Sequence, residues 1–162
     1  MQKNTISLLV RNKPGVLVRV AQVFARRGFN IDSLVVSPTT DPLFSSMTIS
    51  SSGNFEALDQ IIKQANKLID VVHVKEHDQD DSMSRELALF KLKCPAEKRT
   101  EVLQIVDHFK GETIDLTHNY IVVQVTGTSE KLDAMEAMLL PYQVIEMIRT
   151  GKIVITRGNT QT

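Results

Sequence analysis

The chain has 162 residues, of which 42% are apolar and 23% charged, so it is long enough for one ordinary domain or two small ones and too apolar to be disordered. Its 19 Lys and Arg residues balance its 19 Asp and Glu residues, which removes any general electrostatic reason to bind nucleic acid or an anionic membrane. The single cysteine, Cys94, excludes an internal disulfide framework and suits a reducing cytosol.

The first half of the sequence alternates between patterns of period two and patterns of period 3.6. Apolar residues in the first helix recur at i, i+3, i+4 and i+7, with polar residues on the opposite face. The order is β-α-β-β-α-β, which is typical of a ferredoxin-like fold. In chain order the predicted elements are a strand over Thr5–Val10, a helix from Gly15 that ends near Gly28, strands over Ile31–Ser37 and Leu43–Ser51, a helix capped by Asn54, and a strand over Val71–Glu76.

The same plan repeats after a polar, acidic stretch, HDQDDSMS, that reads as a linker. We therefore predict an α+β chain of two ferredoxin-like βαββαβ domains in tandem: residues 1–77, a linker at 78–84, and residues 85–162. The predicted elements of the second domain are a strand over Leu87–Lys93, a helix opened by Pro95 and closed by Gly111, strands over Glu112–Thr117 and Tyr120–Thr126, a helix capped by Thr128 or Ser129, a strand over Gln143–Ile148, and a short extra strand over Ile153–Thr156.

The stretch NKPGVL joins the first predicted strand to the first predicted helix. Pro14 presets a helix start, and Gly15 has no side chain, so a small ligand can approach the first N–H groups of the helix. Those groups lack partners inside the helix and carry partial positive charge, which suits a carboxylate. The amide of Asn12 suits an ammonium and a carboxylate, while Val16 and Leu17 add apolar surface. The stretch predicts a cradle for a free α-amino acid, although alone it also fits a proline-started helix with nothing bound.

A second feature lies after the first helix, where Asn30 and Ile31 lead into the strand Ile31–Ser37. This strand contains no Lys and no Pro, and in the 4-1-3-2 strand order of a βαββαβ sheet it lies at an edge. A long edge without Lys or Pro pairs with another strand unless it is covered. Two copies joined edge to edge about a two-fold axis form an eight-stranded sheet, and the axis brings Asn30 of one copy toward the NKPGVL loop of the other.

The spacing N-x-P-G-x-L, followed by R-G-x-N-I at a strand entry, resembles the ACT domain, a regulatory amino-acid-binding module. Longer stretches, RGFNIDSLVVSPTTDP, KLIDVVHV, FKGETIDLTHNYIVVQVTGTSEKLDA and TGKIVITRG, resemble the small regulatory subunit of acetohydroxyacid synthase, also called acetolactate synthase. The resemblance extends over essentially the whole chain, including the second domain.

This resemblance implies a partner, an effector and a site. The partner is a large catalytic subunit that holds thiamine diphosphate, Mg²⁺ and FAD, so this chain needs no cofactor or metal and has no catalytic residue of its own. The effector is valine or a related branched-chain amino acid, bound between the ACT domains of a homodimer. The implied effector-contacting residues are Asn12, Gly15, Val16 and Leu17 of one copy, with Asn30 and Ile31 of the other.

Other functions fit the sequence less well. The four histidines and Cys94 show no metal-ligand spacing, and no Ser stands in a nucleophile elbow, which argues against an independent enzyme. An RNA-recognition module needs exposed aromatic residues on its central strands, and this chain has no Trp and two Tyr. The alternative left open is a stand-alone ACT-type sensor that regulates another enzyme. Without a visible signal peptide or an apolar run of about 20 residues, we expect a cytoplasmic protein.

Overall fold

The periodicity of the first half produces a four-stranded antiparallel sheet packed against two helices. The computed structural model describes residues 2–78 and 80–162. The elements are β1 (Gln2–Arg11), α1 (Val16–Arg26), β2 (Ser33–Pro38), β3 (Phe44–Gly53), α2 (Phe55–Ala65) and β4 (Val71–His77). The strand order is β2-β3-β1-β4, which is the predicted order and leaves β2 at one edge.

One apolar face of this sheet meets the apolar stripes of α1 and α2 to form the first core. Alternate residues of β1 point to this face because side chains along a strand alternate with a period of two. The helix α2 is capped by Asn54, whose side-chain oxygen accepts from Ala57 N at 2.9 Å, as predicted from the sequence. The fully buried members of the core include Ile6, Leu8, Val20, Phe24, Ile49, Leu58 and Ile61.

The second half repeats the plan around a separate core. The elements are β5 (Ser82–Lys93), α3 (Ala96–His108), β6 (Glu112–Leu116), β7 (Tyr120–Gly127), α4 (Ser129–Leu139) and β8 (Val144–Arg149). The sheet has the order β6-β7-β5-β8, and a further strand, β9 (Ile153–Thr156), pairs with β5. The fold class predicted from the sequence, two ferredoxin-like domains in one α+β chain, is thereby confirmed.

The boundaries of the two compact units in the structure differ from the domain boundaries predicted from the sequence. One unit contains the residues up to Met83 together with Gly151–Thr162, and the other is Ser84–Thr150. The strand β5 begins at Ser82, inside the predicted linker, of which Gln79 lies outside the described residues. The C-terminal residues, placed with the second domain by the sequence, make contacts in the first unit: Arg157 N donates to Asp81 O at 2.8 Å.

The sheet face opposite the helices of the first unit is polar yet largely buried. Thr5 and Ser7 of β1, Thr48 of β3 and His77 of β4 are each at most 9% exposed. Ser7 Oγ and His77 Nε2 lie 2.6 Å apart, whereas Nδ1 of His77 is buried with no partner among the described residues. Burial lowers the pKa of His77 below its ordinary value of 6.5, and the positive charge of Lys75 lowers it further. His77 is therefore neutral in the folded chain at neutral pH.

We expect acidification to weaken the first unit through His77. His77 binds a proton more readily in the unfolded chain than in the folded chain, because its pKa is lower in the folded chain. The free energy of unfolding therefore falls as the pH drops below 6.5 toward the lower pKa of the folded state. One such group gives a slope of at most about 1.4 kcal/mol per pH unit. Burial raises the pKa of Glu76, which acts in the opposite direction.

Urea unfolding at a series of pH values, compared between the wild type and His77→Gln, isolates the His77 contribution because Glu76 is common to both. The exposed His118, replaced in the same way, is the control. Identical pH profiles for the wild type and His77→Gln would contradict the assignment.

Candidate functional site

The NKPG turn leaves the start of α1 open. Gly15 is the N-cap residue with φ of 85°, a left-handed conformation that favours glycine, and no side chain caps the helix. Val16 N donates to Lys13 O at 3.4 Å, and the first bond of helical spacing runs from Arg19 N to Gly15 O at 3.1 Å. The intervening amides of Leu17 and Val18 have no acceptor inside the helix, so the positive end of the helix dipole is presented at this turn.

Asn12 is fixed beside this turn by two contacts. Its backbone N–H donates to Leu43 O at 2.8 Å, and its side-chain Nδ2 donates to Pro42 O at 3.1 Å. The sequence suggested that this amide both donates and accepts. Pro42 O occupies one N–H of Nδ2, so the second N–H and Oδ1 remain for a ligand, the N–H suited to a carboxylate and Oδ1 to an ammonium group.

The two apolar residues of the cradle differ in position. Val16 is 2% exposed and belongs to the first core, so its side chain adds no surface to the cradle and only its backbone lies there. Leu17 is 42% exposed and supplies the apolar side chain at the mouth of the turn. The difference follows from the helical period, because successive residues of α1 point about 100° apart and only one of the two faces the sheet.

Asn30 and Ile31 stand on a turn that is held by local hydrogen bonds. Asn30 Nδ2 donates to Asp32 Oδ1 at 3.0 Å, and Asn30 O accepts from Ser51 Oγ at 2.8 Å. Hydrogen bonds from the side chains of Ser52 and Asn30 lower the pKa of the Asp32 carboxyl below its ordinary value. Asn30 is exposed, and Ile31 is half-buried against the first core. The turn therefore presents an ordered amide to solvent.

Within one chain the six candidate residues fall into two groups at opposite ends of the sheet. Asn30 is bonded to Ser51, and Ser51 pairs with Asn4 in the β1–β3 register. Asn12 lies eight residues further along the direction of β1, which at the rise of a strand is about 26 Å. The turn at Asn30 therefore cannot complete the cradle of its own chain.

One contact near the cradle was not foreseen from the sequence. Arg19 Nη2 pairs with Asp70 Oδ2 at 2.5 Å, and a Cβ placed on Gly15 would lie 3.3 Å from Arg19 Nη1. A guanidinium thus stands beside the open helix start, held by a carboxylate from the loop that precedes β4. The only sequence signal is the i+4 spacing of Arg19 from Gly15, which places the two one turn apart.

The described residues carry no sign of two other kinds of site. None of their helices combines the length and apolar character that crossing a membrane requires. Across residues 2–78 and 80–162, no three His, Cys, Asp or Glu side chains are grouped so as to hold a metal ion.

Comparison with known proteins identifies both halves of the sequence. Residues 6–73 match a family described as the AHAS small subunit-like ACT domain, and residues 85–158 match the small subunit of acetolactate synthase. The chain belongs to the acetolactate synthase small subunit family. The ACT match contains all six candidate residues, from Asn12 to Ile31.

Relatives from bacteria and archaea match over nearly the full length. The acetolactate synthase small subunit of Mycolicibacterium smegmatis is 43% identical over 96% of this chain and 91% of its own. The probable acetolactate synthase small subunit of Archaeoglobus fulgidus is 42% identical over 97% and 98%. The crystal structure of the Thermotoga maritima small subunit superposes with a TM-score of 0.88 at 38% identity, covering 99% of this chain and 100% of that one. This chain is thus similar to whole small subunits, in sequence and in fold.

Proposed function

We propose that this small subunit binds valine or a related branched-chain amino acid between the ACT domains of two copies, and that it regulates a large catalytic subunit of acetolactate synthase. The large subunit, in this proposal, holds the thiamine diphosphate, Mg²⁺ and FAD and performs the condensation of 2-oxo acids. The small subunit activates it in the absence of effector and inhibits it when the effector is bound. The observation that carries the proposal is the open, glycine-capped start of α1 in a chain of this family.

The chemistry of the cradle matches a free amino acid. The amides of Leu17 and Val18 and the helix dipole suit the carboxylate, Oδ1 of Asn12 suits the ammonium, and the exposed side chain of Leu17 suits an aliphatic side chain. An aliphatic recess distinguishes side chains that differ by one methylene by only about 1–3 kcal/mol. We therefore expect inhibition by leucine and isoleucine at higher concentration than by valine.

The register of the sheet supports a site shared by two copies. Ser33 and Thr5 both pair with Ser50, and Pro38 and Val10 both pair with Ser45, so β2 runs parallel to β1 at a known offset. A two-fold axis at the middle of β2 reverses the direction of the partner strand. It carries the partner's Asn30 to the end of the sheet where Asn12 lies, close to the same level along the strands.

The test combines three measurements on the purified chain and on the reconstituted holoenzyme. Light scattering gives the oligomeric state of the small subunit, calorimetry gives valine binding, and a valine titration of acetolactate formation gives inhibition. The proposal expects a dimer, saturable binding and partial or complete inhibition. A monomer that binds no branched-chain amino acid would overturn it.

Replacing Asn30 by alanine should weaken valine binding about tenfold or more, although Asn30 lies far from the cradle of its own chain. The lost contact is a hydrogen bond to a charged group, for which about 1.5–3 kcal/mol is typical. Calorimetry measures the change, and Asn66→Ala, at an exposed asparagine that ends α2, is the matched control. Equal affinities of wild type and Asn30→Ala would argue against a site shared between copies.

A further inference from the structure

The segment Gly151–Thr162, called here the returning segment, lies on the polar face of the first sheet. The chain leaves the first unit after Met83 and enters it again at Gly151. Lys75 Nζ of β4 donates to Thr156 Oγ1 at 3.3 Å, and Thr156 is only 8% exposed. Gly151 lies against Ser33 and Val35 of β2. The returning segment therefore has contacts at both edge strands of the sheet.

The contact at Gly151 leaves no space for a side chain. A Cβ at this position would lie 2.6 Å from Ser33 Cβ, 2.8 Å from Ser33 Oγ and 3.7 Å from Val35 Cγ2. Gly151 is buried, and its φ of 85° is in the left-handed region that favours glycine. Packing this tight transmits displacement because protein interiors have low compressibility.

The residues on either side of this contact connect it to the candidate site and to the second unit. Ser33 is the first residue of β2 and follows Asn30 by three positions, so the contact bears directly on the turn at Asn30 and Ile31. Thr150, bonded to Gly151 by one peptide link, is fixed within the second unit. Its N–H donates to Leu87 O at 3.0 Å, and its hydroxyl accepts from Leu87 N at 3.1 Å.

We propose that the contact between Gly151 and Ser33 couples effector binding at the ACT site to the second unit. The inference rests on the proposed function, because it assigns a route to the regulation of that same site. An effector that binds the turn at Asn30 and moves it also displaces the start of β2. Because Gly151 packs directly against Ser33, this displacement moves Gly151 as well. The adjacent Thr150 carries it to β5 through Leu87. Gly151 and Ser33 are positioning residues here and touch no effector.

The deciding experiment is a valine titration of the reconstituted holoenzyme with Gly151→Ala, combined with calorimetry on the small subunit. We expect valine binding to change by less than about threefold, while the valine concentration for half-inhibition rises at least about fivefold, the lower end of typical coupling. Gly158→Ala is the matched control, because Gly158 also has a positive φ, 73°, but nothing lies within 4 Å of a Cβ there. It should behave as wild type.

Two further variants keep the test decisive if Gly151→Ala folds poorly. Ser33→Gly opens a gap without backbone strain and should also weaken inhibition, whereas Ser33→Ala keeps the Cβ and should not. The double variant Gly151→Ala with Ser33→Gly removes the side chain at position 33 and adds a methyl group at position 151, so the space between the two residues is filled again. Inhibition by valine should recover in this variant. Wild-type inhibition in Gly151→Ala and Ser33→Gly, with valine still bound, would overturn the coupling route alone. A wild-type protein that binds no valine would instead overturn the proposed function.

Discussion

Gly15→Asp is expected to abolish feedback by valine while the small subunit still activates the catalytic subunit. The new carboxylate would occupy the open start of α1, where it satisfies the helix dipole in place of the effector. It would also lie near Nη1 of Arg19, 3.3 Å from the position of the added Cβ. The introduced carboxylate and the carboxylate of valine would then carry like charges, and two like charges about 4 Å apart near a protein surface repel by about 4 kcal/mol. We expect valine affinity to fall at least about a hundredfold.

The fold should tolerate this substitution, since aspartate is among the residues that visit the left-handed region at modest cost. Gly15→Asn keeps the shape and the backbone conformation but adds no charge, so it separates electrostatic exclusion from steric filling. Gly158→Asp, at an open glycine with φ of 73°, shows the effect of the same residue type away from the cradle. Calorimetry gives affinity, and acetolactate formation gives activation and inhibition. Unaltered valine inhibition in Gly15→Asp would refute the cradle.

The sheet order could be predicted because the βαββαβ order of elements is typical of one sheet topology, and the buried face because side chains alternate along each strand. Reversal of that alternation in β1 would expose Ile6 and Leu8, which are at most 2% exposed. The boundary of β2 was less predictable. The strand begins at Ser33 and not at Ile31, because Asn30 and Asp32 hydrogen-bond to each other and to β3 in a turn. Side-chain bonds of this kind compete with strand pairing and leave no periodic signature.

The returning segment shows what local sequence leaves open. The strand at Ile153–Thr156 was predicted correctly as an element, yet its pattern does not specify which unit it joins. Likewise the acidic stretch before β5 reads as a linker, but Ser82 already belongs to the strand, with its hydroxyl donating to Asp78 O at 2.6 Å. Such choices are decided by contacts between residues distant in sequence.

Some features of the candidate site could be predicted from local sequence, and others depend on contacts between distant residues. Pro14 and Gly15 predict a helix start from the local sequence, because their conformational preferences do not depend on distant contacts. The pair between Arg19 and Asp70 joins residues 51 positions apart, and no local pattern relates them. The division between the buried Val16 and the exposed Leu17 depends on the face of α1 that meets the sheet.

Arg149→Met is expected to lower the free energy of unfolding of the second unit by about 3–5 kcal/mol, the range for breaking a buried ion pair. The side chain of Glu86 is 6% exposed, and Arg149 reaches its Oε2 with Nε at 3.1 Å and Nη2 at 2.8 Å. The hydroxyl of Ser129 also donates to Glu86. Without the guanidinium, the Ser129 hydroxyl is the one partner left to the buried carboxylate among residues 2–78 and 80–162, and its charge loses the paired cation.

Two variants distinguish this explanation from a general loss of surface charge. Combining Arg149→Met with Glu86→Met removes both charges and should recover most of the loss, because a packed apolar pair is often as stable as a buried ion pair. Lys63→Met breaks an exposed pair with Asp59 and should change stability by no more than about 0.5 kcal/mol. Urea unfolding with hydrogen exchange resolved along the chain measures each unit. A loss below about 1 kcal/mol in Arg149→Met would mean that water reaches Glu86 in the second unit, and that the pair is as weak as a surface pair.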